Sequence, residues 1–285
     1  MASGNLTEHA LGGGRPTDVA ETDEQDTQAR DHHGSLPCPG WSAYWRGVGR
    51  FQRIVILTGA GISADSGVAT FRDPDGIWAQ YNVDDVATPE GFARNPGLVH
   101  DFYNARRRAL PGVVPNAAHR ALVRLENAGF AEVLLVTQNV DDLHERAGSR
   151  QVIHMHGDLT RVRCRCPRAV VFAWSGDLNE ATACPQCGDL GRLRPHVVWF
   201  GEMPFALGRI GEALQRCDLF VSIGTSGNVY PAAGFVQTVR DVGRAHTVEL
   251  NLEPSIGASS FAEQVYGRAV DVVPQFVDRL IQGPA

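Results

Sequence analysis

The sequence predicts an α/β fold with a Rossmann-type doubly wound parallel sheet and a second, smaller helical and zinc-binding domain. Three observations predict it. Short apolar runs alternate with helical patterns, a glycine turn follows the first apolar run, and four of the six cysteines cluster in one short segment. Strands that alternate with helices give a parallel sheet with helices on both faces.

Composition sets the outer limits of the function. The 285 residues, 43% of them hydrophobic, allow one large domain or two smaller ones with a proper core. A net charge of −6 without a long basic stripe argues against nucleic acid as the main partner. No apolar stretch approaches the ~20 residues of a membrane span, and the N-terminus has no apolar signal core, so we expect a cytoplasmic protein. The oligomeric state is left open, with a monomer as the default.

The elements follow one another along the chain. Residues 1–42 are polar and lack apolar periodicity, which predicts a disordered tail. Strands are predicted at 54–57, 133–136, 219–223, 247–250 and 270–273, and helices near 116–128, 207–216, 231–242 and 274–282. Two stretches interrupt this alternation, and we predict that they form the small domain, 79–115 as its helical part and 158–194 as its zinc module. The large domain would then comprise 43–78, 116–157 and 195–285.

The glycine turn Gly59-Ala60-Gly61-Ile62-Ser63 follows the first predicted strand directly. Backbone N–H groups at such a turn can surround a phosphate, and the start of the following helix adds positive partial charge. A turn that serves packing alone is an equal alternative for this motif taken by itself. Polar or glycine turns also follow three other predicted strands, at 137–139, 224–226 and 251–253. Four such turns on one sheet edge favour a ligand site there.

The cysteine cluster predicts a structural zinc ion. Cys184 and Cys187 are separated by two residues, and seventeen residues lie between Cys166 and Cys184. This spacing resembles the double pair that closes a thiolate tetrahedron around zinc. The first pair departs from it, because only one residue separates Cys164 from Cys166. Four free thiols are the alternative.

Seven motifs together resemble the sirtuin family over roughly residues 50–283, most closely class III and its bacterial CobB type. They are Gly59-Ala60-Gly61-Ile62-Ser63, Thr70-Phe71-Arg72-Asp73, Thr137-Gln138-Asn139-Val140-Asp141-Asp142, His156-Gly157, Val198-Trp199-Phe200-Gly201-Glu202, Gly224-Thr225-Ser226 and Asn251-Leu252-Glu253. Sirtuins are NAD-dependent protein-lysine deacylases with a Rossmann-type large domain and a small zinc domain. The resemblance therefore implies NAD as co-substrate and acylated lysine side chains of proteins as substrates.

The resemblance also assigns an NAD site along the sheet edge. The glycine turn would take the pyrophosphate, the residues from Gln138 onward would orient the nicotinamide and its ribose, and the last two turns would hold the adenosine. Capping of the next helix is a second reading for Asn139 and Asp141, and both roles can hold together. The implied cofactor residues are Gly59, Ala60, Gly61, Ile62, Ser63, Phe71, Arg72, Trp78, Gln138, Asn139, Val140, Asp141, Gly224, Thr225, Ser226, Asn251, Leu252, Glu253 and Ala269.

Two histidines compete for the role of catalytic base. His154 and His156 would face the same way on a strand, so periodicity does not choose between them. The resemblance chooses His156, with Asn139 and Asp141 as the other catalytic residues. The implied reaction begins when the acyl-lysine oxygen attacks the ribose carbon as nicotinamide leaves. His156 then helps to deprotonate a ribose hydroxyl, and the acyl group ends on ADP-ribose.

The resemblance further predicts how an acylated lysine is held. Tyr103 and Arg106 are three residues apart and share one helix face, where they could bind the carboxylate of a succinyl or malonyl group. Ala87 matches the small residue that widens this pocket in class III. A solvated arginine run is the alternative, since Arg107 and Arg108 follow. The substrate peptide would lie between two edges that contain Val198, Phe200, Gly201, Glu202, Asn228, Val229 and Tyr230.

These assignments imply a deacetylase that is also a desuccinylase or demalonylase. Protein ADP-ribosyl transfer is the alternative enzyme reading, because it would use the same NAD site. A non-catalytic NAD or ADP-ribose sensor is a third reading from a different class. The sensor would require loss of the histidine or of the Gln-Asn-x-Asp motif, and the sequence retains both.

Overall fold

The computed structural model describes residues 51–69 and 81–283. Nine strands in this part of the chain form two sheets. The strands are β1 Arg53–Thr58, β2 Glu132–Thr137, β3 Val152–His154, β4 Gly157–Cys164, β5 Val171–Ala173, β6 Leu193–Val197, β7 Leu219–Ile223, β8 His246–Asn251 and β9 Glu263–Tyr266. The α-helices are α1 Val83–Val86, α2 Pro89–Arg94, α3 Pro96–Ala109, α4 Ala117–Asn127, α5 Leu143–Ala147, α6 Leu207–Arg216, α7 Phe235–Val242 and α8 Ala269–Gln282.

The large sheet has six parallel strands in the order β3-β2-β1-β7-β8-β9. The chain runs outward from β1 through β2 to β3, then returns to β7 on the other side of β1 and runs outward again. The strand order therefore reverses between β1 and β7, where Thr58 is paired with Ile223. This is the doubly wound order, and the crevice beyond the strand ends at such a reversal is where ligands bind.

Alternating side chains of β1 supply both halves of the core. Ile54 and Ile56 belong to an apolar cluster that also contains residues of α4 and α8. Val55 and Leu57 belong to a second cluster with residues of α6 and α7. Because successive side chains of a strand point to opposite faces, a fully apolar strand such as β1 is expected where helices cover both faces.

The small sheet is antiparallel, with the order β5-β4-β6. Residues of α1, α2 and α3 pack with residues of this region in a separate aromatic cluster that contains Phe92, Phe102 and Trp199. The two sheets match the predicted fold class. The exact division at 79–115 and 158–194 remains a prediction.

One predicted strand is wrong. Residues 270–273 lie in α8, which begins at Ala269 rather than at 274. Val273, Phe276 and Val277 are buried at helical spacing, so burial of one helix face outweighs the strand preference of the valines. The sixth strand of the sheet is instead β9, which the sequence analysis missed because Glu263 and Gln264 interrupt any apolar run.

The remaining predicted strands are confirmed within one or two residues of their ends, and the helices near 116–128 and 207–216 closely match α4 and α6. The predicted helix at 231–242 is divided into a 3-10 turn, Ala232–Gly234, and α7. Among the described helices, none is long and apolar enough to cross a membrane. The predicted tail, 1–42, and the cofactor residues Phe71, Arg72 and Trp78 lie outside the described residues.

Candidate active site

Two glycine turns interlock where the strand order reverses. The Gly59 N–H donates to the Ile223 carbonyl and the Gly61 N–H to the Gly224 carbonyl, both at 2.9 Å. A Cβ on Gly61 would lie 2.7 Å from the Gly224 Cα, and Gly224 has a φ of +62°. Only glycine lets the two backbones approach this closely. The predicted helix start after Gly59 is a 3-10 helix, Ala60–Ile62. These contacts give the glycines a packing role, and they place the turn at the sheet edge where ligands bind in doubly wound folds.

The turns after β7 and β8 are joined to each other on one side of this crevice. The Asn251 amide donates to the Thr225 carbonyl at 2.7 Å, and the Thr225 and Ser222 hydroxyls are 3.0 Å apart. Leu252 and Glu253 are exposed beyond the end of β8. The structure thus brings the two predicted adenosine-binding turns together and leaves the Glu253 carboxylate accessible for ribose hydroxyls. Ala269 begins α8.

A buried polar network lies on the other side of the crevice. The Asn139 amide donates to the Gly59 carbonyl at 3.1 Å and to the Ser63 hydroxyl at 3.2 Å. The Ser63 hydroxyl donates to the Asp141 carboxylate at 3.1 Å. Asp141 also accepts from the backbone N–H of Leu143, the first residue of α5. The N-cap of this helix is Asp142, which makes no side-chain capping bond, so the predicted capping role of Asn139 or Asp141 is wrong. Burial raises the pKa of Asp141.

Sequence reasoning missed two histidines beneath this network. The His119 ring nitrogen lies 3.5 Å from the Ser63 hydroxyl, and the His144 ring nitrogen lies 3.0 Å from the Thr58 hydroxyl. Burial lowers the pKa of His119 to about 4 and that of His144 well below its ordinary value, so both are neutral at pH 7. Only His119 carried a sequence signal, since Asn116-x-x-His119 forms a capping box at the start of α4.

Acid should destabilise the fold through these neutral histidines. Their pKa values are lower in the folded state than in the unfolded state, so below pH 6.5 the unfolded chain binds more protons. The free energy of unfolding should therefore fall as the pH drops from 6.5 toward 4. Urea unfolding of wild type and His119→Gln at several pH values checks this. The variant should show the shallower pH dependence, and parallel curves would contradict the assignment.

The structure separates the two competing histidines. His154 Nε2 lies 2.7 Å from the Glu145 carboxylate and its Nδ1 lies 3.2 Å from the Asn139 carbonyl, so both ring nitrogens are engaged. Burial opposes charge on His154, but Glu145 outweighs it and raises the pKa. His156 Nδ1 lies 3.2 Å from the Gln138 carbonyl, and burial lowers the pKa of His156. A proton on Nδ1 leaves Nε2 of His156 as an acceptor.

The predicted acyl pocket lies in one aromatic cluster. Ala87 and Tyr103 are both buried in it, and the guanidinium carbon of Arg106 lies 5.8 Å from the centre of the Tyr103 ring. The adjacent arginines take different directions. Arg107 is buried and donates to the Leu159 carbonyl at 2.7 Å, whereas Arg108 is exposed beside Asp177. The three arginines therefore do not form one solvated face.

The segment Val198–Glu202 runs from the base candidate to this pocket. The Val198 N–H donates to the His156 carbonyl at 2.8 Å, and the Phe200 N–H donates to the Ala87 carbonyl at 2.9 Å. Phe200 is exposed, and Gly201 has a φ of +88°. On the other predicted edge, Asn228 and Tyr230 are exposed and Val229 is partly buried.

Glu202 was predicted on the peptide edge, but its carboxylate is held within the fold. Arg194 donates to both of its oxygens, at 2.6 and 3.0 Å, and Arg163 donates at 3.0 Å. The Trp199 backbone N–H adds a further bond at 2.9 Å. Burial opposes the charge, but these donors keep the pKa of Glu202 below its usual range. Any contact of Glu202 with a peptide would therefore use its backbone.

Three cysteine sulfurs converge in the small-sheet region. The Sγ atoms of Cys164, Cys184 and Cys187 lie within 4.8 Å of one another. Backbone N–H groups of Cys166 and Gln186 point at the sulfurs of Cys164 and Cys184, each at 3.4 Å. Burial nevertheless raises the pKa of the Cys164 thiol to about 12, so its thiolate would need a bound cation. Three converging thiols fit a zinc ion, and Cys166, the fourth ligand predicted from the sequence, is not among the sulfurs that converge.

Loss of one converging sulfur should remove the metal. We expect about one zinc per chain in wild type by elemental analysis and much less in Cys184→Ser, with a lower melting temperature, because structural zinc contributes folding energy. The matched control is Cys217→Ser, since Cys217 is buried outside the cluster among residues of α6 and α7. Equal zinc in both variants would contradict the site.

Comparison with known proteins agrees with this geometry. The model of the Sir2 family matches residues 59–231. The NAD-dependent protein deacylase of Salmonella typhimurium is 58% identical over 233 residues, which cover 81% of this chain and 85% of that protein. The corresponding protein of Caulobacter vibrioides is 57% identical over 234 residues, covering 81% and 97%.

Solved structures that resemble this chain also belong to Sir2 proteins. A Sir2 homologue in complex with NAD aligns with a TM-score of 0.74 and 38% identity, covering 81% of this chain and 90% of that one. Sir2Af2 bound to a myristoylated histone peptide aligns with a TM-score of 0.64 and 31% identity, covering 81% and 92%. The chain belongs to the Sir2 family, the sirtuins, as its seven motifs predicted.

Proposed function

We propose that this chain removes acetyl groups and acidic acyl groups of the succinyl and malonyl type from protein lysine side chains, with NAD as co-substrate. NAD-dependent protein deacylation is the function named for relatives that are 57–58% identical over four fifths of the chain. The preference for acidic acyl groups goes beyond the function that is named for these relatives. The observation that supports it is the Arg106 guanidinium, whose carbon lies 5.8 Å from the centre of the Tyr103 ring in the cluster that also contains Ala87.

The interlocked turns support the NAD site. When bound, NAD supplies an activated ribose carbon that takes the acyl oxygen as nicotinamide leaves. The glycine turn at Gly59 and Gly61 packs against Gly224 at the carboxyl ends of β1 and β7, where the strand order reverses, and this position supports pyrophosphate binding there. Asn139 and Asp141 are held in place by Ser63, which supports their proposed role in positioning the nicotinamide ribose. Their side chains cannot rotate away without breaking buried hydrogen bonds.

The state of His156 supports its proposed role as general base. A base must be unprotonated to accept a proton, and burial lowers the pKa of His156. Its Nδ1 is turned to the Gln138 carbonyl, so Nε2 is the atom that would receive the proton of a ribose hydroxyl. His154 is less suited to this role, because both of its nitrogens are engaged and Glu145 favours its charged form.

The pocket around Tyr103 supports the choice of acyl group. Burial raises the pKa of Tyr103, so its hydroxyl stays protonated. It could therefore donate a hydrogen bond to the carboxylate of an acyl group. The Arg106 guanidinium beside the ring would supply the opposite charge. Ala87 is small, which leaves length for a three- or four-carbon acid.

Two further proposals concern the substrate peptide and the cellular compartment. The exposed Phe200 and Tyr230 support a peptide that lies across the surface and bonds mainly through its backbone. The converging thiols are typical of a protein that works in a reducing compartment, which supports the cytoplasm.

Turnover of paired peptides tests the function. Acetyl-lysine and succinyl-lysine peptides of one sequence should both be deacylated with NAD and neither without it. The expected products are nicotinamide, free lysine peptide and O-acyl-ADP-ribose. ADP-ribose attached to protein, with no deacylated peptide, would instead indicate ADP-ribosyl transfer. Turnover of acetyl-lysine alone would remove the acidic-acyl proposal and leave deacetylation intact.

A further inference from the structure

Trp199 is buried beside Tyr103 in the cluster that is proposed to hold the acyl group. Only 2% of the residue is exposed, and its indole N–H donates to the Tyr103 hydroxyl at 3.0 Å. An indole nitrogen can only donate, whereas a tyrosine hydroxyl can both donate and accept. The hydroxyl oxygen therefore acts as acceptor toward Trp199, and its hydrogen must point elsewhere.

One face of the Trp199 ring is covered by Arg194. The guanidinium carbon of Arg194 lies 3.2 Å from the ring centre, closer than an ordinary cation–π contact requires. Arg194 is itself held by the Glu202 carboxylate, at 2.6 and 3.0 Å, and Glu202 also accepts the Trp199 backbone N–H at 2.9 Å. Ring and backbone of Trp199 are thus both tied to one carboxylate.

We propose that Trp199 is a specificity-determining positioning residue, which orients the Tyr103 hydroxyl so that its hydrogen points at the distal carboxylate of a succinyl or malonyl group. This inference rests on the proposed preference for acidic acyl groups and adds a residue that acts through Tyr103. A free phenol hydroxyl rotates between two in-plane orientations. The indole N–H excludes the orientation in which the hydroxyl hydrogen points at Trp199. The hydroxyl is therefore held in the other orientation before the substrate binds. Such preorganisation improves binding because less freedom is lost when the complex forms.

An ordinary core tryptophan is the competing explanation, and it makes a different prediction. A packing residue would affect all acyl substrates alike, because a distorted pocket wall disturbs any bound lysine. A positioning residue acts only on a substrate that uses the hydroxyl. The ratio of kcat/KM for succinyl-lysine to kcat/KM for acetyl-lysine separates the two, and the folded fraction of the sample cancels in this ratio.

The test uses Trp199→Phe, which keeps an aromatic ring and removes the N–H. The succinyl-to-acetyl ratio should fall by about fivefold, in line with one lost hydrogen bond, chiefly through a higher KM for succinyl-lysine. Trp174→Phe is the matched control, since the Trp174 N–H is buried without a hydrogen-bond partner in the described part of the chain. The control should keep the wild-type ratio.

A double-mutant cycle completes the test. Tyr103→Phe should lower the ratio by about tenfold, because a bond to a charged group is lost. In that background Trp199→Phe should change the ratio no further, since the hydroxyl through which it acts is gone. An unchanged ratio in Trp199→Phe, or additive effects in the double variant, would overturn the inference. Wild type without desuccinylation would instead refute the acidic-acyl function on which the inference rests.

Discussion

His156→Ala should fold normally and lose about 10²–10⁴-fold in deacylation of both acetyl- and succinyl-lysine peptides, the range that a positioned general base contributes. The reason is Nε2 of His156, which is left as an acceptor when the proton on Nδ1 is shared with the Gln138 carbonyl. The measurement is kcat/KM with saturating NAD. Melting curves should match wild type, because the one hydrogen bond that is lost joins a half-buried ring to a carbonyl.

His154→Gln is the companion variant. His154 forms an ion pair with Glu145 and contacts the Asn139 carbonyl, so its loss should reduce stability more and turnover less than His156→Ala does. The reverse ranking of turnover would transfer the role of base to His154. Near-wild-type turnover in His156→Ala would remove the assignment altogether.

Arg106→Met should reduce desuccinylation far more than deacetylation. A hydrogen bond to a charged group contributes about 1.5–3 kcal/mol, so kcat/KM for succinyl-lysine should fall by roughly 10- to 150-fold. The guanidinium carbon of Arg106 lies 5.5 and 5.8 Å from the Phe102 and Tyr103 ring centres. Methionine removes this charged group and keeps an apolar side chain, so the acetyl reaction should lose much less. Paired peptide assays under one set of conditions give the comparison.

Arg108→Met is the control for the charge itself. Arg108 lies on the same helix, α3, but is exposed beside Asp177, so its replacement changes the net charge equally without entering the pocket. Its succinyl-to-acetyl ratio should remain that of wild type. Equal losses of both activities in Arg106→Met would show that the residue supports the pocket wall and does not read the acyl carboxylate.

The parallel sheet was predictable because its inner strands are apolar on both faces. Residues 54–57 and 219–223 need helices on both sides, and only a doubly wound arrangement supplies them. The edge strand β9 was not predictable in the same way, since Glu263 is buried there in contact with His246, 17 residues away. The valines at 270–273 were misassigned because local preference cannot reveal which face of α8 the core will bury.

The candidate site, like the fold, was predictable only where local sequence decides it. Four turns at strand ends predicted a ligand crevice, because all carboxyl ends of a parallel sheet share one edge. The inward position of the Glu202 carboxylate could not be predicted, since Arg163 and Arg194 come from neighbouring strands of the small sheet. The hydrogen bond between Trp199 and Tyr103 joins residues 96 positions apart, and no local sequence pattern at either residue predicts it.

By itself the sequence determined the class of fold and the family, since periodicity and short motifs express local backbone geometry. Only the tertiary structure separated His154 from His156, turned three consecutive arginines in different directions and placed an indole N–H on a phenol oxygen. Those outcomes depend on which distant groups share a buried space, and burial sets the protonation and hydrogen bonding of a side chain more strongly than its neighbours along the chain do.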